Sequence, residues 1–411
     1  MMKVLQINTY YKKGSTGKIV EQLLETQKNS YIDGYVLYGK GDLVDEPNVY
    51  KINTKLGYYY HKFMTHVFGK HSFYSKRKTK KAMRIIEQIK PDVIHLHNLH
   101  GHYLNVQVLF NYILKNEIPV VWTFHDCWAF TGHCAYFHEI GCEKWKTGCF
   151  KCELKYSYPR SFIFDRSKQS YIEKKRLFTS IRNINLVNVS RWVDGLVSES
   201  FFMDKPHSVI YNWIDRDIFN GNTESDWIRK KYNIDNKFVI LGVAAGWTER
   251  KGIRDFVELS NFINDDEVIF LIGSAPTNLT LHKGIINIPA ITDQTLLAQY
   301  YAMADVYINP SRQETFGLTT AEAMSCGTPA IVYDVTACPE IVGVDEKCGY
   351  IAKAYEVSDI YSKIKKIKLK GKSFYSINAI QRVEQLFDNG HNLNEYIKLY
   401  REVTNKNDDI R

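Results

Sequence analysis

The stretch "NPSRQETFGLTTAEAMSCGTPAIVYD", Asn309 to Asp334, has the residue pattern of a strand, a helix and a second strand in succession. It continues the apolar strand "DVYINP" through a turn of small and polar residues into a helix, and it ends in a second apolar strand, "PAIVYD". Aliphatic and β-branched strands separated by helices are typical of parallel sheets that are covered on both faces. The stretch therefore predicts one strand–helix–strand unit of an α/β domain.

Strands of the same kind occur in two sets along the 411 residues. The first set is "KVLQIN", "GYVLYG", "PDVIHLH", "PVVWTFH", "INLVNVS" and "HSVIYN", and the second is "KFVILGVAAG", "VIFLIGS", "GIINIPA", "DVYINP" and "PAIVYD". Two sets predict two doubly wound domains, each able to bind a ligand beyond the carboxyl ends of its strands. The polar stretch 212–226 marks the boundary, so we expect domains at residues 1–215 and 216–384.

A last helix is expected over about residues 385–411, joined to the N-terminal domain. Asn392, with Glu395 three residues later, has the spacing of a helix N-cap. The helix has one apolar face, which consists of Leu393, Tyr396, Ile397 and Tyr400. This face needs a partner surface, and we expect the N-terminal domain to provide it.

The composition, with 45% hydrophobic and 24% charged residues, is that of an ordinary globular protein. No apolar run reaches the length of a membrane span, and the N-terminus lacks the apolar core of a signal peptide. We therefore expect a cytoplasmic protein, in which disulfides are uncommon.

The net charge of +9 is unevenly spread. Residues 69–84, "GKHSFYSKRKTKKAMR", contain seven lysines and arginines and follow the aromatic stretch "GYYYHKFMTHVF". Two interpretations stay open: a solvated helix face, or a patch that attracts anionic lipid headgroups. Nucleic acid is not an expected partner, because no recognition-helix or RNA-binding pattern accompanies the charge.

Two carboxylates, Glu314 and Glu322, flank the start of the helix in the opening stretch, with seven residues between them. A helix start offers backbone N–H groups and the positive end of the helix dipole to an anion. Here those N–H groups belong to Phe316, Gly317 and Leu318. A diphosphate held there would leave Glu322 near a ribose and Glu314 near a sugar. An ordinary structural helix start would also explain each feature alone.

Lysine and glycine turns follow the first strand of each predicted domain. In "GWTERKGI", Lys251 can neutralise a phosphate as a point charge. In "YYKKGSTGKIV", Gly17 and Lys18 suggest a Walker loop, but that motif requires a glycine where Lys12 stands and a Ser or Thr where Ile19 stands. The Gly14–Gly17 turn is therefore either an anion-receiving turn at a helix start or an ordinary βα turn.

Five of the eight cysteines lie in "HDCWAFTGHCAYFHEIGCEKWKTGCFKC". Four of them follow a C-x7-C-x6-C-x2-C spacing that suits tetrahedral zinc and would order a long loop. These are Cys134, Cys142, Cys149 and Cys152. His133 or Cys127 could replace one ligand, and unliganded thiols are the alternative.

Taken together, the E-x7-E pair, Lys251-Gly252, "VSRW" and "VIYNWIDRDIF" resemble the family 4 retaining glycosyltransferases of the GT-B fold. The resemblance spans nearly the whole chain. It implies two Rossmann-like domains facing a cleft, and transfer of a sugar from a UDP- or GDP-sugar with retained configuration.

The resemblance also implies residue roles. Lys251 would bind the diphosphate, Glu322 the ribose and Glu314 the donor sugar. His125 in "TFHD" matches the family's histidine beside the transferred sugar, although a structural histidine at a strand end is the alternative. Gly14 and Gly17 match the glycine loop that closes over donor and acceptor. No divalent ion would be required for catalysis, because lysine and helix dipole stabilise the leaving diphosphate.

One departure concerns the arginine that the family usually carries shortly before its lysine. "AAGWTERKG" has none there. Two alternatives stay open: Arg250 or Arg254 substitutes for it, or one phosphate contact is absent. "DRD" at 215–217 could be read as a metal-binding motif, but we assign it to structure. A paired-carboxylate glycosidase has no use for Lys251 beside a diphosphate cradle.

The cysteine-rich region, with "KLGYYYHKF" and "HLHNLHGHYLN", resembles bacterial colanic-acid-type exopolysaccharide glycosyltransferases. That likeness implies a glycan acceptor on a lipid carrier and a peripheral position at the inner face of the cytoplasmic membrane. Two alternatives stay open: a soluble storage-glucan or disaccharide synthase, and a nucleotide-sugar-binding protein without catalysis.

Overall fold

The structure is a computed structural model that describes residues 1–277, 279–281 and 284–405. It divides into two compact units, residues 1–210 with 393–411, and residues 211–392. The predicted end of the last helix, residues 406–411, lies outside the described residues. No helix in the described ranges is long and apolar enough to cross a bilayer.

The first unit is built on seven parallel strands. Its elements are β1 (Met2–Tyr10), α1 (Gly14–Asn29), β2 (Ile32–Lys40), β3 (Val49–Lys51), α2 (Lys55–Phe68), α3 (Lys76–Ile89), β4 (Val93–Leu96), α4 (Val106–Lys115), β5 (Val120–Phe124), α5 (Lys144–Thr147), α6 (Ser167–Thr179), β6 (Ile184–Asn188), α7 (Arg191–Ser198) and β7 (His207–Val209). The strand order is β3-β2-β1-β4-β5-β6-β7. Short 3₁₀ turns lie at Trp128–Phe130 and His138–Ile140.

The second unit is built on six parallel strands in the order β10-β9-β8-β11-β12-β13. Its elements are α8 (Asp226–Tyr232), β8 (Phe238–Gly246), a 3₁₀ turn (Glu249–Lys251), α9 (Ile253–Leu259), β9 (Glu267–Ser274), β10 (Ile285–Ile288), α10 (Gln294–Met303), β11 (Val306–Asn309), α11 (Leu318–Ser325), β12 (Ala330–Tyr333), α12 (Cys338–Val342), β13 (Gly349–Ala352), α13 (Val357–Lys370) and α14 (Ser373–Leu386). Helix α15 (Asn389–Asn405) follows.

Both sheets have the doubly wound topology that the strand pattern predicts, so the predicted fold class is confirmed. The central strands are buried on both faces, which explains their uninterrupted apolar sequences: Val4, Leu5 and Ile7 in β1 have no exposed surface. In each sheet the chain first winds to one side and then crosses to the other. The two switch points lie between β1 and β4 and between β8 and β11, where such folds bind their ligands.

Helix α15 differs from its prediction at its start. It begins at Asn389, so Asn392 lies inside the helix and is not the N-cap. The Asp388 side chain instead accepts the N–H of His391 at 2.9 Å, whereas Asn392 Nδ2 donates to Tyr211 O at 3.2 Å. The predicted apolar face is buried as expected, at Leu393, Tyr396, Ile397 and Tyr400.

The buried face of α15 contacts the first unit through hydrogen bonds as well as apolar area. The Tyr400 hydroxyl lies 2.7 Å from His95 Nδ1, and the Tyr396 hydroxyl lies 3.1 Å from Thr123 Oγ1. His95 is on β4 and Thr123 on β5, so α15 covers the central strands of the first sheet.

Candidate functional site

The loops that follow β8 and β11 meet at the switch point of the second sheet. Lys251 follows β8 and Glu314 follows β11, and Lys251 Nζ forms an ion pair with Glu314 Oε1. The two side chains are 28% and 14% exposed, so the pair is shielded but reachable by a ligand. The structure thus brings together two residues that lie 63 positions apart in the sequence and that the sequence assigns to one site.

The charge of Glu314 is set by its neighbours. Burial raises the pKa of its carboxyl, but the positive charges of Lys251 and Arg250 outweigh burial and hold the pKa below its ordinary value. The Glu314 N–H donates to Thr336 Oγ1 at 3.0 Å, which fixes the backbone. Glu314 is therefore a positioned carboxylate that is ionised at neutral pH.

A tight turn positions Lys251. The Thr248 hydroxyl accepts the Lys251 N–H at 3.3 Å, and the next residue, Gly252, has a φ of +76°. A Cβ at Gly252 would lie 2.4 Å from Pro310 O in the loop after β11. Glycine is required here because two loops approach each other closely at a left-handed backbone position.

Of the two candidate substitutes for the family's arginine, the structure brings only Arg250 to the site. Arg250 Nη1 donates to Gln313 O at 2.8 Å, directly before Glu314. The Arg254 side chain is 74% exposed and pairs with Glu249 at 2.8 Å. The sequence left the choice open because both arginines flank the lysine.

The start of α11 completes this end of the sheet. Gly317 precedes the helix with a φ of +110°, a backbone angle that favours glycine although nothing would lie closer than 3.6 Å to an added Cβ. The N–H groups of Thr320 and Ala321 donate to Gly317 O. The backbone N–H groups at residues 316–318 therefore lie at the positive end of α11, ahead of its first hydrogen bonds.

Glu322 lies inside α11. Its Oε2 accepts a hydrogen bond from the Tyr301 hydroxyl at 2.8 Å, and Tyr301 is completely buried. Burial, with the charge of Glu322, raises the pKa of Tyr301 well above its ordinary value, so the tyrosine remains a donor. Tyr301 thus orients the Glu322 carboxylate, whose ribose role stays a prediction.

In the first unit, His125 lies directly after β5 at the end of a hydrogen-bonded chain. Gln6 Nε2 donates to Val20 O at 3.2 Å, which leaves Gln6 Oε1 to accept from His97 Nε2 at 3.2 Å. His97 Nδ1 lies 3.1 Å from His125 Nε2, and the two rings are stacked.

These successive hydrogen bonds determine the tautomers of His97 and His125. Burial lowers the pKa of His125 to about 4 and that of His97 well below its ordinary value, so both imidazoles are neutral. With its proton on Nε2, His97 can only accept at Nδ1, and His125 must donate from Nε2. His125 is therefore a fixed neutral imidazole rather than a cation.

A second group beside His125 was not identified from the sequence. His100 Nε2 lies 2.7 Å from Asp126 Oδ2, and His100 Nδ1 lies 2.7 Å from the Tyr158 hydroxyl. Burial raises the pKa of Asp126, but interaction with His100 and the Trp128 N–H lowers it below its ordinary value overall. The adjacency of Asp126 to His125 and the histidines of "HLHNLHGHYLN" were the available signals.

Gly14 to Gly17 form the first turn of α1, which follows β1 at the switch point of the first sheet. Gly14 has a φ of +68°, and the Lys12 N–H donates to Gly17 O at 3.0 Å. A Cβ at Gly17 would lie 3.3 Å from Lys12 N, so the turn is tightly closed. Lys12, which stands where a Walker loop has glycine, forms ion pairs with Glu46 and Glu21. The turn's role toward a donor stays a prediction.

The cysteine-rich segment after His125 contains no disulfide among its described residues. Four thiols line one cavity, those of Cys134, Cys142, Cys149 and Cys152. Within the described part of the chain, no three or more His, Cys, Asp or Glu side chains have the arrangement of a preformed metal site. In the "DRD" stretch, Asp215 Oδ1 accepts the Asp217 N–H at 3.2 Å, as in a turn.

Comparison with known proteins gives the family. Residues 35–218 match the model of Glycosyltransferase Family 4, and residues 236–368 match that of Glycosyl transferases group 1. A putative colanic acid biosynthesis glycosyl transferase of Escherichia coli K12 is 24% identical over 83% of this chain and 85% of that protein.

A shorter match is the N,N'-diacetylbacillosaminyl-diphospho-undecaprenol α-1,3-N-acetylgalactosaminyltransferase of Campylobacter jejuni, 29% identical over 45% of this chain and 50% of that protein. The solved sucrose-phosphate synthase of Thermosynechococcus elongatus has the same fold, with a TM-score of 0.73 at 18% identity over 98% of this chain and 99% of that one. The chain therefore belongs to the family 4 and group 1 glycosyltransferases and is a nucleotide-sugar-dependent enzyme of the GT-B fold.

Proposed function

We propose that the enzyme transfers a sugar, with retained configuration, from a UDP- or GDP-sugar to a growing lipid-linked surface glycan at the inner face of the membrane. The observation that carries the donor half is the Lys251–Glu314 ion pair beside the start of α11. The pair offers a cation for a diphosphate and a carboxylate for sugar hydroxyls within one contact.

Each group at this site has a defined task. The Lys251 ammonium has three N–H donors, so it can remain paired with Glu314 and also donate to a phosphate oxygen. The N–H groups of Phe316, Gly317 and Leu318 add hydrogen bonds and the helix dipole as negative charge grows on the departing diphosphate.

The acceptor half is supported by an exposed apolar surface of the first unit. Four side chains at helical spacing on α2 face solvent, Leu56, Tyr59, Tyr60 and Phe63, with exposed fractions of 83%, 63%, 56% and 61%. Such a stripe normally faces a protein core, so its exposure indicates a surface that is covered in use.

A neighbouring loop extends this surface. Phe162, Ile163 and Phe164 are each between 43% and 59% exposed. Phe164 stacks on Phe68 of α2 with ring centroids 6.1 Å apart, and the Phe162 N–H donates to His66 O at 2.7 Å. We name the exposed residues of α2 and of loop 162–164 the aromatic surface.

Helix α3 follows α2 in sequence and provides positive charge. Its apolar face is buried at Ala82, Met83 and Ile86, whereas its basic side chains face solvent. The exposed basic residues are Lys76, Arg77, Lys80, Lys81 and Arg84. Apolar side chains beside a basic helix fit an anionic lipid surface, with each basic residue contributing about 1 kcal/mol.

The donor proposal is tested by screening nucleotide sugars with the purified enzyme, using donor hydrolysis and thermal shift. One donor should be hydrolysed by the wild type and by Arg254→Gln, a matched control in the first turn of α9, but not by Lys251→Met or Glu314→Ala. Equal hydrolysis by all four proteins would contradict the proposed site.

The membrane proposal is tested by cosedimentation with vesicles of neutral or anionic phospholipid. Tyr60→Ser with Phe63→Ser should abolish binding to anionic vesicles, whereas Leu369→Ser, a change of an 88% exposed leucine in the second unit, should not. If the wild-type protein does not cosediment with anionic vesicles, the result would favour the alternative of a storage-glucan or disaccharide synthase.

A further inference from the structure

Four reduced thiols line the cysteine cavity. The Cys134 thiol is hydrogen-bonded to Cys152 and lies within electrostatic reach of Cys142 and Cys149. Cys127, the fifth cysteine of the segment, is fully buried but does not line this cavity. The structure thus separates four clustered thiols from one ordinary core cysteine.

The backbone around the cavity donates hydrogen bonds to sulfur. The Gly132 N–H donates to Cys149 Sγ at 3.1 Å, and the Leu154 N–H is hydrogen-bonded to Cys152. A neutral thiol is a weak acceptor, whereas a thiolate accepts strongly. A Cβ at Gly132 would lie 2.6 Å from Cys149 Cβ and 2.2 Å from Ser167 O, so only glycine allows this approach.

A buried lysine lies beside the same thiols. Lys174 is 1% exposed, and its Nζ donates to Trp128 O at 2.7 Å and to Thr131 O at 3.0 Å. Three acidic groups interact with the charge of Lys174: the Cys149 and Cys134 thiols and the Asp126 carboxylate. Burial penalises the ammonium form of Lys174, and negative sulfurs would add to the counter-charge that Asp126 provides.

We propose that Cys134, Cys142, Cys149 and Cys152 bind one structural zinc ion. Four thiols release four protons as four Zn–S bonds form, which leaves two net negative charges that Lys174 partly offsets. Because the described residues hold no preformed site, the thiol side chains must turn toward the ion when it binds.

Zinc would account for the order of this segment. Between β5 and α6, residues 125–166 contain only two 3₁₀ turns and the four-residue helix α5. Loops of this length without regular structure are uncommon unless something holds them. The inference is independent of the proposed donor and acceptor.

The experiment begins with metal analysis of the full-length protein, purified under reducing conditions without chelator. We expect about one zinc per chain, released when a mercurial reagent titrates the thiols. Protein loaded with Co²⁺ should show the thiolate-to-cobalt charge-transfer and visible bands of a tetrahedral site. These measurements use the wild type and hold even if cysteine variants fold poorly.

Matched variants locate the ligands. Cys149→Ser and Cys134→Ser should lose the zinc, whereas Cys127→Ser should retain it. Lys174→Met should raise the zinc dissociation constant about tenfold in competition with a chelator, and Lys174→Arg should not. Any of three results would overturn the proposal: native protein without metal, a Cys134–Cys152 disulfide instead of a zinc site, or full zinc retention in Cys149→Ser.

Discussion

Replacing Lys251 by methionine removes the ammonium of the donor site while keeping most of the volume of the side chain. Removing one preorganised charge-stabilising donor costs about 2.7–4 kcal/mol in the transition state, so we expect kcat/KM for the donor to fall by about 10²–10³. Glu314 would also lose the partner that now holds it in place.

The effect on stability should be smaller than the effect on activity. Breaking a fully buried ion pair costs about 3–5 kcal/mol, but these side chains are 28% and 14% exposed. We therefore expect a loss of about 1–2 kcal/mol, between the values for exposed and buried pairs.

The pH dependence of that loss has a defined sign. The pKa of Glu314 is lower in the folded chain than its ordinary value, so its contribution to stability is present above the unfolded pKa of about 4.3 and is lost as pH falls through the folded pKa. The stability difference between wild type and Lys251→Met should therefore be largest near neutral pH and should shrink in acid.

The assay combines initial transfer rates over a donor series with urea unfolding at neutral and acidic pH. Arg254→Gln is the control, because Arg254 lies three residues from Lys251 but is exposed and paired with Glu249. A Lys251→Met enzyme that keeps kcat/KM within about twofold of the wild type would refute the reasoning, because loss of one transition-state donor is expected to cost about 10²–10³.

Three further predictions concern the same reaction. Glu322→Ala should raise the nucleotide dissociation constant measured by calorimetry, whereas Glu314→Ala should lower kcat more than nucleotide affinity; the reverse order would contradict the assigned roles. Transfer should require neither magnesium nor manganese, because Lys251 and the start of α11 stabilise the leaving diphosphate. This prediction is wrong if a chelator abolishes activity without changing the zinc content and magnesium then restores the activity. Gln6→Leu should lower kcat about tenfold, because it removes the hydrogen bond that orients His97 and, through it, His125. Gln6→Glu should move the acid limb of the pH–rate profile to higher pH, because a carboxylate favours protonated His97. An unchanged profile would mean that Gln6 has only a structural role.

The sequence predicts both sheets because their central strands are long, apolar and buried on both faces. It misses β3 and β13, which the structure adds at one edge of each sheet. Val49–Lys51 has three residues and Gly349–Ala352 has four, too few for a period to show. These strands are specified by pairing with β2 and β12 rather than by their own composition.

The start of α15 shows a different limit of sequence reasoning. The sequence predicts Asn392 as the N-cap from its spacing to Glu395, but the helix begins at Asn389. Asn392 is 5% exposed, and its amide donates to Tyr211 O and Leu386 O. Contacts outside the local spacing rule therefore use the side chain that the rule assigns to the cap.

Site residues were predictable where the chemistry lies in one motif and not where it depends on pairing between distant segments. Glu314 and Lys251 follow from residue type at strand ends. The Gln6–His97 contact joins positions 91 apart, and Asp126–His100 joins positions 26 apart. No pattern in "HLHNLHGHYLN" states which imidazole meets which partner, because that choice follows from strand order in the sheet.

The two units divide the electrostatic tasks of the proposed reaction between them. In the second unit, charges lie at the site: Lys251, Arg250 and the start of α11 are positive, and Glu314 is held ionised. In the first unit, His125 and His97 are held neutral by burial. Negative charge develops on the departing diphosphate, so the cations belong beside it, whereas a cationic imidazole near an oxocarbenium-like sugar would oppose its formation. In the role predicted for His125 beside the transferred sugar, a neutral ring adds no positive charge that would oppose this step.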